Sequence, residues 1–346
     1  MIPTMSEQKY QFDSFHMGRS CLDLYSNDVG AAFQDISGFA AYVGGSPTNI
    51  SVGAQRLGLN SALLTAVGED PVGDFVLQFL DREGVTTDYI PRKAGRRTSA
   101  VALGIEPPDR FPLVYYRDNC ADAALTIDDV DACPLADTQI FQVAGTNLSV
   151  EPSRTATLYA AEVAHGLGKT VVLDVDFRSD QWPDPRAFGV AIRSVLPNVD
   201  IVLGTTDELC ASTLTDASGV SVTYSQVSDA HVEGNVEDAV AQIFRKGPGC
   251  VVEKTGSDGA RIHERHGGDT TVSLAPGFPV DIVNILGAGD AFGAGFIKGL
   301  VEGRPLVACA RLGNACGALV VTRHGCSASM PTWEEVNAFV ESRGGL

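Results

Sequence analysis

Short apolar segments alternate with amphipathic segments along most of this 346-residue chain. The apolar runs, each predicted to be a buried strand, lie at 61–67, 139–144, 170–175, 201–204 and 250–254. The amphipathic stretches, each predicted to be a helix, lie at 49–57, 72–83, 153–165 and 236–245. Strands that alternate with helices are typical of a parallel sheet covered by helices on both faces. The pattern therefore predicts one α/β domain over 14–333, with terminal extensions at 1–13 and 334–346.

Two regions break this rhythm, because residues 35–43 and 97–117 alternate apolar with polar positions, as half-exposed strands do. We expect them to form a small antiparallel layer that projects from the main body. Such a layer can cover a site at the carboxyl edge of the sheet. The polar segment 216–234, rich in Ser, Thr, Val and Gly, is predicted to be a surface insertion.

The composition is that of a globular enzyme. The formal net charge of −18 limits the kinds of molecule that the protein is expected to bind. So acidic a chain is a poor match for nucleic acid or for an anionic membrane surface. No apolar run is long enough to span a membrane, and the first residues lack the pattern of a signal peptide. The eight cysteines are scattered without a Cys-x-x-Cys pair, which favours reduced thiols in a cytoplasmic protein over a disulfide frame or zinc site.

The segment most indicative of chemistry is Gly287-Ala288-Gly289-Asp290, between an apolar run and a helical stretch of small residues. Small residues at such a turn let backbone N–H groups approach an anion, which then faces the positive end of the helix. Asp290, in the first turn, can accept a proton from a hydroxyl while the amides hold a phosphoryl group. A packing turn with a capping aspartate would have the same sequence. The spacing is not that of the dinucleotide fingerprint, because Gly293 comes one residue late.

A second glycine-rich helix start, Gly44-Gly45-Ser46-Pro47-Thr48-Asn49, lies near the N-terminus. Its two glycines allow a ligand to approach the backbone, and Asn49 can both donate to and accept from a hydroxyl. An ordinary turn with Pro47 in the first helical turn explains the segment equally well.

Together the two segments resemble the signatures of the ribokinase-like (PfkB) carbohydrate kinases. The resemblance runs from about residue 15 to 331 and includes landmarks at 67–73, 83–85 and 256–260. It implies a three-layer α/β/α sandwich with a central, mostly parallel sheet and a small antiparallel β lid. It also implies a kinase that uses ATP and Mg2+, and leaves open whether a monovalent cation is needed.

The resemblance implies roles for individual residues. The catalytic base would be Asp290, with an anion hole formed by Gly287, Ala288 and Gly289. The sugar hydroxyls would be bound by Asp23, on the loop after an initial strand, and by Gly44, Gly45 and Asn49. The nucleotide would be bordered by Lys254, Thr255, Gly256, Gly259 and Asn314. Glu208, which matches the last residue of the family's Asn-x-x-Glu motif, would act on Mg2+ through water.

Two arginines and two departures from the family pattern bear on the substrate and the metal. Arg117 and Arg178 are candidates for the carboxylate of an acid sugar, since a planar guanidinium suits bidentate recognition. Each can instead pair with a neighbouring aspartate. Thr205 stands where the family has the Asn of Asn-x-x-Glu, and Asn284 stands where it has an Asp, which leaves the metal arrangement open.

Within the family, five segments look most like the subfamily that phosphorylates the terminal hydroxyl of 5-dehydro-2-deoxy-D-gluconate in inositol catabolism. These segments are 42–47, 116–122, 174–178, 204–208 and 327–331. Kinases of 2-dehydro-3-deoxygluconate, fructose or ribose are alternatives. A catalytically silent, sugar-sensing homologue is an alternative of another class, and the intact Asp290 argues against it.

The expected partners are a sugar acid and ATP, with no nucleic acid or membrane, and a homodimer through the lid remains open.

Overall fold

The computed structural model describes residues 10–106, 110–222 and 230–346. Its strands are β1 (Phe12–Met17), β2 (Cys21–Ser26), β3 (Phe39–Gly44), β4 (Ser61–Leu64), β5 (Val67–Gly68), β6 (Arg92–Lys93), β7 (Ser99–Leu103), β8 (Leu113–Tyr116), β9 (Thr138–Ala144), β10 (Thr170–Asp174), β11 (Ile201–Thr205), β12 (Val220–Val222), β13 (Ala230–Val232), β14 (Cys250–Lys254), β15 (Gly259–His266) and β16 (Asp269–Pro276). Its α-helices are α1 (Ser46–Arg56), α2 (Pro71–Glu83), α3 (Ile127–Asp131), α4 (Ser153–Gly166), α5 (Pro185–Val195), α6 (Thr206–Ser212), α7 (Val236–Phe244), α8 (Ala288–Val301), α9 (Leu306–Val320) and α10 (Trp333–Ser342). Within these described ranges, no helix has the length and apolar character needed to cross a membrane.

An eight-stranded sheet forms the centre of the molecule, in the order β16-β15-β14-β11-β10-β9-β1-β4. The six strands from β14 to β4 run parallel, and β15 and β16 continue the sheet as antiparallel neighbours. This arrangement confirms the predicted, mostly parallel sheet. Because parallel strands end at the same edge, the turns that follow β10, β11 and β14 lie side by side.

Helices cover both faces of this sheet, which confirms the predicted three-layer α/β/α sandwich. Successive strand residues face opposite layers, so Val171 and Leu173 of β10 belong to one hydrophobic cluster and Val172 belongs to the other. Helices α3 to α7 pack on the first cluster, and α1, α8, α9 and α10 pack on the second. Within the segment predicted as a C-terminal extension, α10 buries Val336 and Val340 in the second cluster.

A four-stranded sheet in the order β3-β2-β7-β8, called the lid sheet below, contains the two regions predicted to form the lid. The sequence did not predict β2 as its central strand. The pair β2/β7 is parallel, whereas β2/β3 and β7/β8 are antiparallel. The prediction that Asp23 lies on a loop is wrong, because Asp23 lies within β2, opposite Tyr42 on one side and Val101 on the other. Since β2 follows β1 after three residues, the lid sheet starts directly at the carboxyl edge of the main sheet.

The predicted surface insertion at 216–234 contains an antiparallel pair, β12 and β13. Oδ1 of Asp207, in the first turn of α6, accepts a hydrogen bond of 2.9 Å from the backbone N–H of Val232 and so ties this pair to the main body. Residues 223–229 of this segment, and residues 107–109 of the predicted lid region, lie outside the described residues.

Candidate active site

A cavity of about 920 Å³ lies at the carboxyl edge of the main sheet, between the lid sheet and the N-terminal ends of α1 and α8. A volume of this order suits a small-molecule site. The predicted site residues that line it are Asp23, Gly45, Asn49, Arg178, Glu208, Lys254, Thr255, Gly256, Gly259, Gly287, Ala288, Gly289, Asp290 and Asn314. Gly44 and Arg117 are not among the described residues in its wall.

The N-terminal end of α8 lines this cavity, and its glycines allow the backbone there to adopt the required turn. Gly287 precedes the helix with φ +79°, a left-handed conformation that glycine adopts without strain. The first N–H groups of a helix have no acceptor within the helix, so they are available to a ligand. The amide of Ala288 is an exception here, since it donates to the carbonyl of Ile285 over 3.3 Å. The remaining first-turn amides, those of Gly289 and Asp290, are the ones suited to an anion.

Asp290 is held in place by a side chain of α1. Nδ2 of Asn49 donates to Oδ2 of Asp290 over 2.7 Å, and Oδ1 of Asn49 accepts from the hydroxyl of Ser327. Burial, together with the charges of Asp174 and Asp176, raises the pKa of Asp290 to about 7 against the opposing effect of its hydrogen bonds. A carboxylate that titrates near neutral pH is suited to general-base chemistry.

Lys254, at the end of β14, connects the acidic groups with the first turn of α8. Its Nζ donates to Oδ1 of Asp174 over 3.1 Å and lies 3.7 Å from Oε2 of Glu208. A Cβ added at Gly289 would lie 3.4 Å from the same nitrogen. Burial alone would lower the pKa of Lys254, but Asp174 and Glu208 outweigh it and raise that pKa. The ammonium group therefore remains charged beside the proposed anion hole.

The two departures from the family pattern have local structural roles. Thr205 caps α6, because its Oγ1 accepts from the N–H of Glu208 at 3.3 Å while its own N–H donates to Oε2 of Glu208 at 2.6 Å. Thr205 thus performs the helix capping that an asparagine can also perform. Asn284 is fully buried, and its Oδ1 accepts from the N–H of Leu286 at 3.0 Å, so it shapes the turn before α8.

Two glycines make room at the sugar end of the cavity. A Cβ added at Gly44 would overlap the carboxylate of Asp23 on the neighbouring strand. Gly45 has φ +105°, and a Cβ there would overlap the carbonyl oxygen of Arg19. Burial raises the pKa of Asp23 to about 6, opposed by the positive charge of Arg19 and a hydrogen bond from Cys21. Gly44 therefore acts behind Asp23 rather than in the cavity wall.

The two predicted carboxylate-binding arginines occupy different environments. Arg178 lines the cavity, and its Nε donates to Oδ1 of Asp176 over 2.9 Å. The structure does not bring Arg117 into the cavity wall, and its side chain is only 8% exposed. Its Nε pairs with Asp122 at 2.7 Å, and another of its nitrogens donates to Oε1 of Gln181 at 2.7 Å. The predicted role of Arg117 in binding a sugar carboxylate therefore needs correction, because these contacts make it a brace between loops.

The opposite end of the cavity is formed by the predicted nucleotide-binding residues. The N–H of Thr255 donates to the carbonyl of Gly259 over 2.9 Å, which closes a tight turn that Gly256 enters with φ +63°. Nδ2 of Asn314 donates to the carbonyls of Ala275 and Pro276 over 2.9 and 3.0 Å. Asn314 therefore fixes the end of β16, and only the oxygen of its amide is left for a ligand.

Sequence reasoning missed several residues of the cavity wall, including Arg19, Ser46, Asp174, Asp176 and Cys326. The sequence contained signals for three of these residues. Asp174 ends the buried strand β10, and Asp176 follows it two residues later. Ser46 lies inside the first glycine-rich segment, from which its hydroxyl donates to Oδ2 of Asp174 over 2.8 Å. Arg19 and Cys326 belong to no recognisable motif. In the part of the chain that the structure describes, no group of three or more His, Cys, Asp or Glu residues is placed to hold a metal ion.

Comparisons with known proteins agree with this fold. The model of the pfkB family carbohydrate kinases matches residues 15–333. The chain is 31% identical over 337 residues to a protein of Geobacillus thermodenitrificans (strain NG80-2) named 5-dehydro-2-deoxygluconokinase, covering 97% of this chain and 94% of that one. Its fold is similar to that of a Xylella fastidiosa fructokinase solved with bound ATP, with a TM-score of 0.81, 21% identity and coverage of 96% and 99% of the two chains. An E.coli protein solved in complex with ATP and Mg2+ has a TM-score of 0.80, 22% identity and the same coverage. The chain therefore belongs to the pfkB family of carbohydrate kinases and is a sugar kinase.

Proposed function

We propose that this protein transfers the γ-phosphoryl group of ATP to the terminal primary hydroxyl of 5-dehydro-2-deoxy-D-gluconate. The observation that carries the proposal is the buried carboxylate of Asp290 in the first turn of α8, whose pKa of about 7 leaves about half of it ionised at neutral pH. Ionised Asp290 accepts the proton of the sugar hydroxyl as the new phosphorus–oxygen bond forms. The first-turn amides of α8 face the charge that develops on the phosphoryl oxygens.

The other charged residues of the cavity suit the nucleotide. Lys254 places a positive charge beside Gly289, where the phosphoryl oxygens would lie. Oδ2 of Asp176 is buried without a hydrogen-bond partner among the described residues, and Glu208 offers a second carboxylate in the same cavity. These oxygen donors fit Mg2+, which keeps several waters and would be held by Glu208 through water. When bound, Mg2+ supplies neutralisation of the phosphate charge.

The choice of an acid sugar is supported by the name of the Geobacillus relative and by the cations at the sugar end. The 31% identity extends over almost the whole of both chains. Arg178 is a cation in the cavity wall that can face a carboxylate. A neutral ketose is the second candidate, because a structural neighbour is a fructokinase.

A substrate panel tests the proposal. ADP release is measured with 5-dehydro-2-deoxy-D-gluconate, 2-dehydro-3-deoxygluconate, fructose and ribose at equal concentrations. We expect the highest kcat/KM for 5-dehydro-2-deoxy-D-gluconate, and phosphorus–proton NMR correlation from the product phosphate to the terminal methylene. A higher kcat/KM for fructose or ribose would reject the substrate while leaving the sugar kinase intact. The absence of ADP release with every sugar would support the silent, sugar-sensing alternative.

A further inference from the structure

Arg19 is a buried cation that none of the roles above explains. It lies in the short link between β1 and β2, lines the cavity, and is only 6% exposed. Its backbone is fixed from α1, because Oγ1 of Thr48 donates to the carbonyl oxygen of Arg19 over 3.1 Å. The side chain therefore extends into the cavity from a rigid point.

The nearest partners of this guanidinium carry no opposite charge. One terminal nitrogen of Arg19 donates to Sγ of Cys21 over 2.9 Å, and Sγ of Cys21 donates in turn to Oδ1 of Asp23 over 3.0 Å. Burial raises the pKa of Cys21 well above its ordinary value, so the thiol is neutral. The ring of Tyr115, on lid strand β8, has its centroid 5.2 Å from the guanidinium carbon. Cation–π contact and a thiol are weak compensation for a buried positive charge.

A further donor of Arg19 has no hydrogen-bond partner among the described residues. Its Nε is buried with no hydrogen-bond partner within the described ranges. Asp23 and Asp176 act on Arg19 through space, but neither is an ion-pair partner in the described residues. The other two arginines considered for this end of the cavity differ, since Arg117 pairs with Asp122 and Arg178 pairs with Asp176. A buried cation that no carboxylate contacts directly is costly, and an anionic ligand that accepted its free N–H group would offset that cost.

We propose that Arg19 binds the carboxylate of the acid sugar and is the residue that makes this kinase prefer acid over neutral sugars. The inference rests on the proposed function, because it assumes an acid substrate. A guanidinium presents a planar fork of N–H donors that matches the two oxygens of a carboxylate. The charged end of the sugar then lies between Arg19 and the lid strand, Asp23 contacts its hydroxyls, and the terminal hydroxyl reaches Asp290.

The test compares two substrates in two variants. The substrates are 5-dehydro-2-deoxy-D-gluconate and its primary carboxamide, which has nearly the same shape but no charge. For Arg19→Gln we expect kcat/KM for the acid to fall about 100-fold, mainly through KM, and kcat/KM for the amide to change by less than about threefold. For Arg19→Lys, which keeps the charge but not the fork, we expect a loss of about 10-fold for the acid alone. Arg186→Gln removes an equal charge at an exposed position and should change neither value.

The outcomes separate this inference from the proposed function. A wild-type enzyme that prefers the acid, combined with an unchanged acid-to-amide ratio in Arg19→Gln, would overturn the role of Arg19 and leave the substrate assignment standing. Equal losses for both substrates would do the same, since they indicate a structural defect. If the wild-type enzyme shows no preference for the acid, both proposals fail. If circular dichroism shows that Arg19→Gln does not fold, the ratio measured for Arg19→Lys decides the question.

Discussion

Replacing Asp290 with asparagine should abolish most activity and at the same time stabilise the protein. The substitution keeps the size of the side chain and an oxygen that can accept the 2.7 Å hydrogen bond from Asn49. It removes the negative charge that burial, Asp174 and Asp176 all disfavour. The carboxylate of Asp290 is therefore both the proposed catalytic base and a buried charge that destabilises the folded protein.

The size of the stability effect follows from the pKa of Asp290, which rises from 3.8 to about 7 on folding. Because the ionised form is disfavoured in the folded protein, ionisation of Asp290 lowers the free energy of unfolding. This unfavourable contribution is absent below pH 3.8, grows as the pH rises, and is complete above pH 7. At 1.36 kcal/mol for each unit of pKa, the cost is about 2 kcal/mol at pH 5 and about 4 kcal/mol at pH 8. We expect the free energy of unfolding of Asp290→Asn to exceed that of the wild type by these amounts.

The loss of activity should lie in kcat. Removing a positioned general base typically costs about 100- to 10,000-fold. Because the amides of Gly289 and Asp290 remain, ATP should bind with its affinity changed by less than the roughly tenfold that 1.4 kcal/mol represents.

Urea unfolding at pH 5 and pH 8, together with an ADP-release assay, checks both effects. Asp81→Asn, at an exposed position of α2, is the matched control for the loss of one carboxylate. Wild-type turnover in Asp290→Asn would refute the assignment of the base. A free energy of unfolding equal to that of the wild type at both pH values would refute the raised pKa.

Two further predictions concern the pH profile and the glycine behind Asp23. Because only ionised Asp290 can accept the proton, kcat/KM should rise with pH through a midpoint near 7 and level off above it, measured with ATP below its KM and with nucleotide binding followed separately over the same range. A profile that stays flat from pH 5.5 to 8.5 would contradict this. Gly44→Ala should raise the KM for the sugar by roughly 10- to 100-fold with little change in the KM for ATP, because the new Cβ displaces the carboxylate of Asp23. Gly249→Ala, where an added Cβ meets no atom within 4 Å, is the control, and equal sugar KM values in the two variants would contradict the role of Gly44.

The main architecture could be predicted from the sequence because its signals are local. Val171, Val172 and Leu173 form an unbroken apolar run, as expected for a strand with both faces buried, and each of the two faces packs against a different helical layer. The place of the site follows from the same pattern, since parallel strands bring their carboxyl ends to one edge. Strand β2 was missed because it follows β1 after only three residues and is defined mainly by pairing with β3 and β7. Pairing between distant segments leaves little trace in a local pattern.

The three arginines illustrate why the details of the site resisted prediction. Arg117 and Arg178 lie in segments with recognisable motifs, whereas Arg19 lies in none, and residue type alone makes all three equal candidates for an anion. What distinguishes them is whether each lies in the cavity wall and whether a carboxylate of the described residues already pairs with it. Gln181 takes a donor from Arg117 although it lies 64 residues away in sequence, and Asp176 takes one from Arg178. Among the described residues, the guanidinium of Arg19 directly contacts a thiol and an aromatic ring but no carboxylate. Since recognition of an anion depends on a cation that faces the cavity and is not already paired with a carboxylate, the folded arrangement decides which arginine can bind it.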